Sequence, residues 1–419
     1  MKKNNFEYNS ILLFAMMMMA NGCNYLFQII IARLLGDARQ YAVVNTLISL
    51  QSVFLIPSTL MIMVTAKYTA LYETTHEQGK LSAVLVKLKK YTLWIAIGIA
   101  VVGVCVSPLI AAGLKLRRVS YVWGILMTAI LAVLSAVYVG VIQGAQKFFE
   151  YGMQNLLNML CKLFFSIIFV ILGWGVSGVL GALMIGAIIV FIYSYRYTRK
   201  QFAVSEEDIF IEYIELKDYI LGTFCFQICI TLLTSGDMLL VKAFFDETEA
   251  GVYSSAMVIG KIALYVSSAV VGTLFPMVAA EHAAGHDTYL LLKKAFLYGG
   301  GMTVMCAAVM IAGGKWIVGI LFGSVYKDAI QYLPAICAYV VPLAFLTIMS
   351  NFLVALAKTT IVSVSLVLAC IGSIVIAFIF HTTIGQMLLL LGVLLMAIFV
   401  CDLIILSKRG DKNEGTAEK

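Results

Sequence analysis

Residues 235–244 read SGDMLLVKAF and lie in an apolar stretch running from about Tyr219 to Phe245. Asp237 and Lys242 are therefore ionisable groups in a segment of the kind that normally excludes them. Lys162 in NLLNMLCKLFFSIIF and Lys261 in AMVIGKIALYV stand near the middle of two other apolar stretches, and Arg33 ends the first one. A central charge costs about 2.5–3.5 kcal/mol on insertion scales, so keeping several argues for a wet, protein-lined interior. Lysine is a compact, mobile point charge that holds an anion without imposing one rigid geometry. Lys162, Lys261, Lys242 and Arg33 are thus candidate cations for a negatively charged ligand. A desolvated carboxylate favours its neutral form, which makes Asp237 the candidate for coupling to an ion, H+ or Na+. Snorkelling to the interface is the competing reading for Lys242 and Arg33, and simple pairing with a lysine is the competing reading for Asp237.

Asp237 and Lys242, five residues apart on a helix, project about 140° from each other and should find partners elsewhere. Neutral polar groups recur at helical spacing. Asn21, Asn24 and Gln28 share one face of the first stretch, and Asn155, Asn158 and Lys162 share one face of the fifth. Both stripes are candidate sugar contacts, and interhelical hydrogen bonding is the bland alternative for any one member. Asn45, Gln51 and Gln143 are further candidates. Asp402 reads as an interfacial residue near the inner end of the last stretch. Pro57, Pro334 and Pro342 are expected to kink the helices that hold them.

The elements that position these groups follow from composition. Hydrophobic residues make up 62% and charged residues 12% of the 419, against about 25% charged in a soluble domain. Segments of about 20 apolar residues cross a bilayer as helices, and about twelve such segments can be drawn, among them 41–66, 250–276 and 383–406. The reading is an all-α polytopic membrane protein. The apolar run after Lys2 and Lys3 continues to about Leu35 without a clear cleavage site and is taken as the first span. With both termini cytoplasmic, nineteen Lys and Arg fall inside and seven outside, as the positive-inside bias requires. The net charge of +7 then reflects topology and anionic lipid headgroups rather than nucleic acid.

The longest internal polar interval, 196–218, marks a cytoplasmic linker between two lobes, 1–205 and 206–419. The halves look alike. Arg33 and Lys242 are 209 residues apart, Tyr41 and Tyr253 are 212 apart, and Lys147 and Lys358 are 211 apart. Six spans duplicated give parallel repeats, a common transporter plan.

Three stretches, ARLLGDARQYAVVNTLISL, GDMLLVKAFFDETEAGVYSSAMVIGKIALYVSSAVVGTLFPMVA and LFGSVYKDAIQYLP, resemble the polysaccharide biosynthesis or oligosaccharide flippase family (Wzx-type). That family belongs to the multidrug/oligosaccharidyl-lipid/polysaccharide exporter superfamily. The first stretch departs from its usual pattern, with Gln40-Tyr41-Ala42 where a Gly beside the Tyr is typical. The resemblance implies two six-helix lobes that alternate access around a central cavity. It also implies a polyprenyl-pyrophosphate-linked oligosaccharide turned from the cytoplasmic to the outer leaflet of a bacterial cytoplasmic membrane. Expected partners are that lipid-linked substrate, membrane lipids and polysaccharide-synthesis enzymes.

Two other classes stand beside this reading. A cation-coupled exporter of amphipathic drugs should present acidic and aromatic groups, whereas the deep charges here are mostly cationic. A membrane glycan polymerase or acyltransferase needs a nucleophile, base or metal cluster. His76, His282, His286 and His381 have no acidic set at metal-ligand spacing, and the nine cysteines form no C-x-x-C pair. No metal or organic cofactor is expected, and no phosphate-binding G-x-x-x-x-G-K-[ST] motif occurs.

Overall fold

In a computed structural model the backbone is described for residues 2–75, 77–202, 213–283, 286, 288–356 and 359–417. Side chains are described within that set except at 2–11, 14, 74, 200, 213–223, 266, 268–277, 279–280, 282–283, 359–360 and 407–417. The described residues are helical with short connections and no strand. This is the outcome expected where hydrocarbon leaves backbone groups no partner outside their own helix.

The chain divides into two compact units, Met1–Phe224 and Cys225–Lys419. The first contains α1 (Lys2–Leu35), α2 (Ala38–Phe54), α3 (Ile56–Thr74), α4 (Gln78–Gly113), α5 (Ser120–Gly144), α6 (Phe148–Ile171) and α7 (Gly175–Thr198). A long helix, α8 (Tyr213–Phe244), leads into the second unit, followed by α9 (Glu247–Ala283), α10 (Tyr289–Ala295) and α11 (Gly301–Leu321). A π-helical turn, Phe296–Gly300, joins α10 to α11. The unit closes with α12 (Leu333–Ala355), α13 (Thr359–Ile379) and α14 (Ile384–Ala417). The centre of the expected linker, residues 203–212, lies outside the described residues, as does Lys358.

Ten helices are long and apolar enough to cross a membrane, or eleven if α2 and α3 form one bent span. The expected count of twelve is therefore not reached among the described residues. The expected crossing at 250–276 falls in α9, whose side chains from 268 to 277 are outside that set. The stretch expected as one span at 41–66 is broken at Leu55 with a bend of 40°. Pro57 stands in the first turn of α3, where its missing N–H is tolerated but a continuous helix would lose a bond. Pro334 likewise opens α12, while Pro342 is held inside it.

Each unit is organised around one buried helix. The windows of α5 and of 324–355, which contains α12, are each 72% buried, against 22–39% for the other candidate spans. In the first unit α5 packs on α3, α4 and α7, and α6 packs on α1 and α7. In the second, α12 packs on α9, α11 and α14, and α14 on α13. Phe27, Ile31, Leu47, Ile125 and Val179 form one core of the first unit. Apolar residues such as Trp94, Leu109, Trp316 and Ile320 stay exposed, which suits surfaces facing lipid.

Local chemistry repeats between the units as well. Asp37 accepts a hydrogen bond from the Arg39 amide at the start of α2, at 2.9 Å. Asp246, 209 positions later, accepts one from the Thr248 amide at the start of α9, also at 2.9 Å. Both are N-caps satisfying an amide the helix leaves open. Gly36, at φ +60, supplies the left-handed residue that ends α1 before the first of them.

The α3–α5 contact depends on small residues. A Cβ on Gly140 would stand 2.5 Å from Thr65 Cβ and 2.8 Å from the Ile62 carbonyl, and Gly144, four residues on, faces Ala66 in the same way. Small residues spaced by four let helix backbones approach closely in lipid. Gly140→Val is expected to cost about 1–3 kcal/mol and to lower the unfolding midpoint in detergent. Gly98→Ala, with no atom within 4 Å of the new Cβ, is expected to leave it unchanged. Equal midpoints for the two variants would contradict this packing.

Candidate functional site

The packing of α1 on α6 brings the two polar stripes of the first unit together at one point. Lys162 on α6 is 6% exposed. Its Nζ donates to Asn24 Oδ1 on α1 at 2.9 Å and lies 4.0 Å from the centroid of the Phe27 ring. The ring face is electronegative and suits an ammonium, yet neither partner carries a negative charge. Lys162 is thus a buried lysine whose described partners are both neutral.

Beside it is a cavity of about 280 Å³, lined by Gln51, Thr128, Ser135, Gln154, Asn155 and Asn158 among others. Among the described lining residues there is one cation and no carboxylate. Several polar groups are fixed by bonds to the scaffold. Gln51 donates to Thr128 Oγ1 at 3.0 Å, Ser194 to Gln154 Oε1 at 2.7 Å, and Asn155 to the Tyr151 carbonyl at 2.8 Å. The Asn155 and Gln154 bonds each use part of an amide that can make more. Gly186 on α7 lets that helix close over Asn158, whose Oδ1 would lie 2.5 Å from a Cβ there. The arrangement can hold an anion at Lys162 and hydroxyl groups along α6.

The stripe expected on α1 does not act as a unit. Asn24 meets Lys162, but Asn21 is exposed, and Gln28 turns to α2, where Tyr41 donates to its Oε1 at 3.2 Å. Asn45 is bound to the Tyr41 carbonyl at 3.2 Å, and Gln143 is exposed. Gln154 is one of several polar lining residues, with Thr128 and Ser135, that the sequence did not single out. It precedes Asn158 and Lys162 at steps of four on the same helix, so its spacing carried the signal.

The cations expected at Lys261, Lys242 and Arg33 are differently placed. Lys261 on α9 donates to Asp237 Oδ1 on α8 at 2.9 Å. Tyr253 donates to the other carboxylate oxygen at 2.7 Å. Lys242, fully buried, meets Glu247 at 3.0 Å in the acidic turn that opens α9. These two lysines are neutralised within their own unit, because a buried charge is tolerated when paired and hydrogen-bonded. Asp237 and Lys242 do not pair with each other. Arg33 is exposed in the last turn of α1, where a cation complements the helix dipole. Asp402 is buried, at 2% exposure.

The repeat relates the two units at this level. Tyr41 and Tyr253 are both fully buried, and each donates to a side chain of the preceding helix, Gln28 in one unit and Asp237 in the other. Gln28 and Asp237 are 209 positions apart, the same offset as Arg33 and Lys242. One duplicated contact is neutral in the first unit and ionic in the second.

Fold and composition together define a multi-pass all-helical membrane protein. The chain matches the family model described as polysaccharide biosynthesis protein over residues 7–282, and it belongs to that family. It is similar in fold to an inward-facing multidrug resistance MATE family transporter of the MOP superfamily. The two are 14% identical with a TM-score of 0.76, covering 97% of this chain and 99% of that one. An outward-facing structure of such a transporter aligns with a TM-score of 0.68 at 16% identity, over 97% and 96% of the chains. A MOP superfamily transporter from Pyrococcus furiosus, described by the reverse polarity of its binding pocket, aligns at 0.68 and 16%, over 96% and 95%. No curated protein sequence matches the chain.

Removing one partner of the α8–α9 pair tests its nature. Asp237→Asn leaves Lys261 buried without a counter-charge and is expected to destabilise the protein by about 3–5 kcal/mol. Adding Lys261→Met should restore most of that loss. A double variant melting no higher than the single one would contradict a compensating pair.

Proposed function

We propose that the protein turns a polyprenyl-pyrophosphate-linked oligosaccharide from the cytoplasmic to the outer leaflet of a bacterial cytoplasmic membrane, for cell-surface polysaccharide synthesis. The observation that carries this reading is Lys162, a buried lysine whose described partners are neutral, set on the wall of a polar cavity that has no described carboxylate. A pyrophosphate entering an apolar barrier loses hydration, and a lysine replaces part of it while still releasing the ligand. Asn155, Asn158 and Gln154 would serve hydroxyl groups of the glycan. Family membership supports the glycan, and the fold similarity supports alternating access of the two units. The chain carries the lipid-linked unit without making or breaking a bond in it, and the enzymes that assemble and polymerise that unit are its partners. Both termini face the cytoplasm, as the charge bias requires.

Ion coupling through Asp237 would compete with Lys261, whose ammonium favours the charged carboxylate. The competing reading, a cation-coupled exporter of amphipathic drugs, draws on the similarity to multidrug transporters. It sits poorly with a cavity whose one described charge is positive.

The test is made in cells of the source organism lacking the gene, with lipid extracts analysed by mass spectrometry. Intact lipid-linked repeat units should accumulate, and the wild-type copy should clear them. Lys162→Ala at equal abundance should clear them at least about tenfold more slowly, the equivalent of 1.4 kcal/mol. An unchanged lipid pool in the deletion strain would sink the proposed substrate and move drug export to the front.

A further inference from the structure

Asp402 takes no part in the site above, yet it is the least well satisfied charged side chain of the second unit. It lies on α14 at 2% exposure. Its Oδ2 is buried without any hydrogen-bond partner, and its Oδ1 stands 2.5 Å from Ser365 Oγ on α13. Ser365 Oγ also lies 2.9 Å from the Ile361 carbonyl.

A serine hydroxyl carries one proton, and a carbonyl oxygen carries none. If Ser365 bonds Ile361, the short contact to Asp402 needs a proton from the carboxyl. If Ser365 instead bonds Asp402, a buried carboxylate is left with one hydrogen bond, an orphaned oxygen and no counter-charge among the described residues. Isolated buried carboxylates are expensive and resolve that cost by neutralising.

Among the described residues, the elements packed against Asp402 supply no cation. The titratable groups of α12 are Cys337 and Tyr339, and that of α13 is Cys370. The π-helical turn meets α14 through Phe296 and Phe399. Tyr298 in that turn is exposed, as are Tyr289, Lys293 and Lys294 on α10, with Lys293 seated over Tyr289. On α14 itself the described neighbour is the exposed Cys401; the side chains of Lys408 and Arg409 lie outside the described residues. A metal cation fares no better than a bare carboxylate: hard cations gather about six oxygens, and the 2.5 Å contact leaves no space between Oδ1 and Ser365 Oγ.

We propose that Asp402 is a proton-binding site of the second unit, neutral in this conformation, donating to Ser365 Oγ, which donates in turn to the Ile361 carbonyl. The proton is taken from water as the carboxylate becomes a carboxylic acid and is returned to water when the site opens. Asp237, by contrast, has a cation in Lys261 and a hydrogen bond on each oxygen, so its charged form is compensated. That the Asp402 proton is the one coupled to export rests on the exporter reading; that the site holds a proton does not.

The test is infrared spectroscopy of the purified full-length protein in phospholipid vesicles at neutral pH. A carbonyl band of a protonated carboxylic acid is expected in wild type and in Asp237→Asn, and is lost in Asp402→Asn. Ser365→Ala should keep the band but shift it upward, because the acid loses its acceptor. Replacing potassium by sodium in the buffer should not move it. If Asp402→Asn removes no acid band, Asp402 is ionised and the proposal falls; a band abolished by sodium would make the site a cation site and overturn it equally. In the lipid-extract experiment Asp402→Asn, at normal abundance and helix content, should lose clearance of the intermediates. Normal clearance would make the proton purely structural and would overturn its role in coupling while leaving the exporter reading standing.

Discussion

A charge buried in a membrane protein has to find its compensation inside the unit that carries it. That constraint orders the polar interior here. Asp237 is held by Lys261 and Tyr253, and Lys242 by Glu247, so two of the three deep lysines are spent on their own scaffold. Lys162 is the exception. Asn24 and Phe27 hold its position without cancelling its charge, and a polar cavity opens beside it. A charge maintained against its insertion cost and left electrostatically open is what a ligand can use.

Duplication explains how the two situations arose side by side. Tyr41 and Tyr253 occupy matching places and donate to Gln28 and Asp237, and Asp37 and Asp246 cap matching helices. The scaffold contacts were copied, while the chemistry of the accepting side chain diverged. The second unit has an ion pair between α8 and α9. The first unit kept a neutral contact there and carries its cation elsewhere, on α6. The buried helices α5 and α12, 72% buried in both cases, provide the common axis around which each unit packs.

Much of the fold was legible because hydrocarbon imposes length and composition on every span. The break at Leu55 was less so: Pro57 announces a bend, but a proline in a first turn also ends one helix and starts another. The site was legible in part. The depth of Lys162 and its spacing from Asn158 and Asn155 identified the α6 face, and Gln154 fits the same period. Partners were not legible, since Lys261 reaches Asp237 across 24 residues and Lys162 reaches Asn24 across 138. Only helix packing decides which of several polar faces meet. The closeness of Asp402 to the end of the apolar run at Leu406 was legible, but its burial and its contact with Ser365 on α13 were not.

The central claim is that Lys162 offers an uncompensated cation to a phosphorylated lipid. Native mass spectrometry of the purified protein with a polyprenyl pyrophosphate and the matching polyprenol addresses it directly. The account predicts that wild type and Lys162→Arg retain the pyrophosphate in preference to the alcohol, and that Lys162→Met retains both alike. Equal retention of the two lipids by wild type, or an undiminished preference in Lys162→Met, would contradict it.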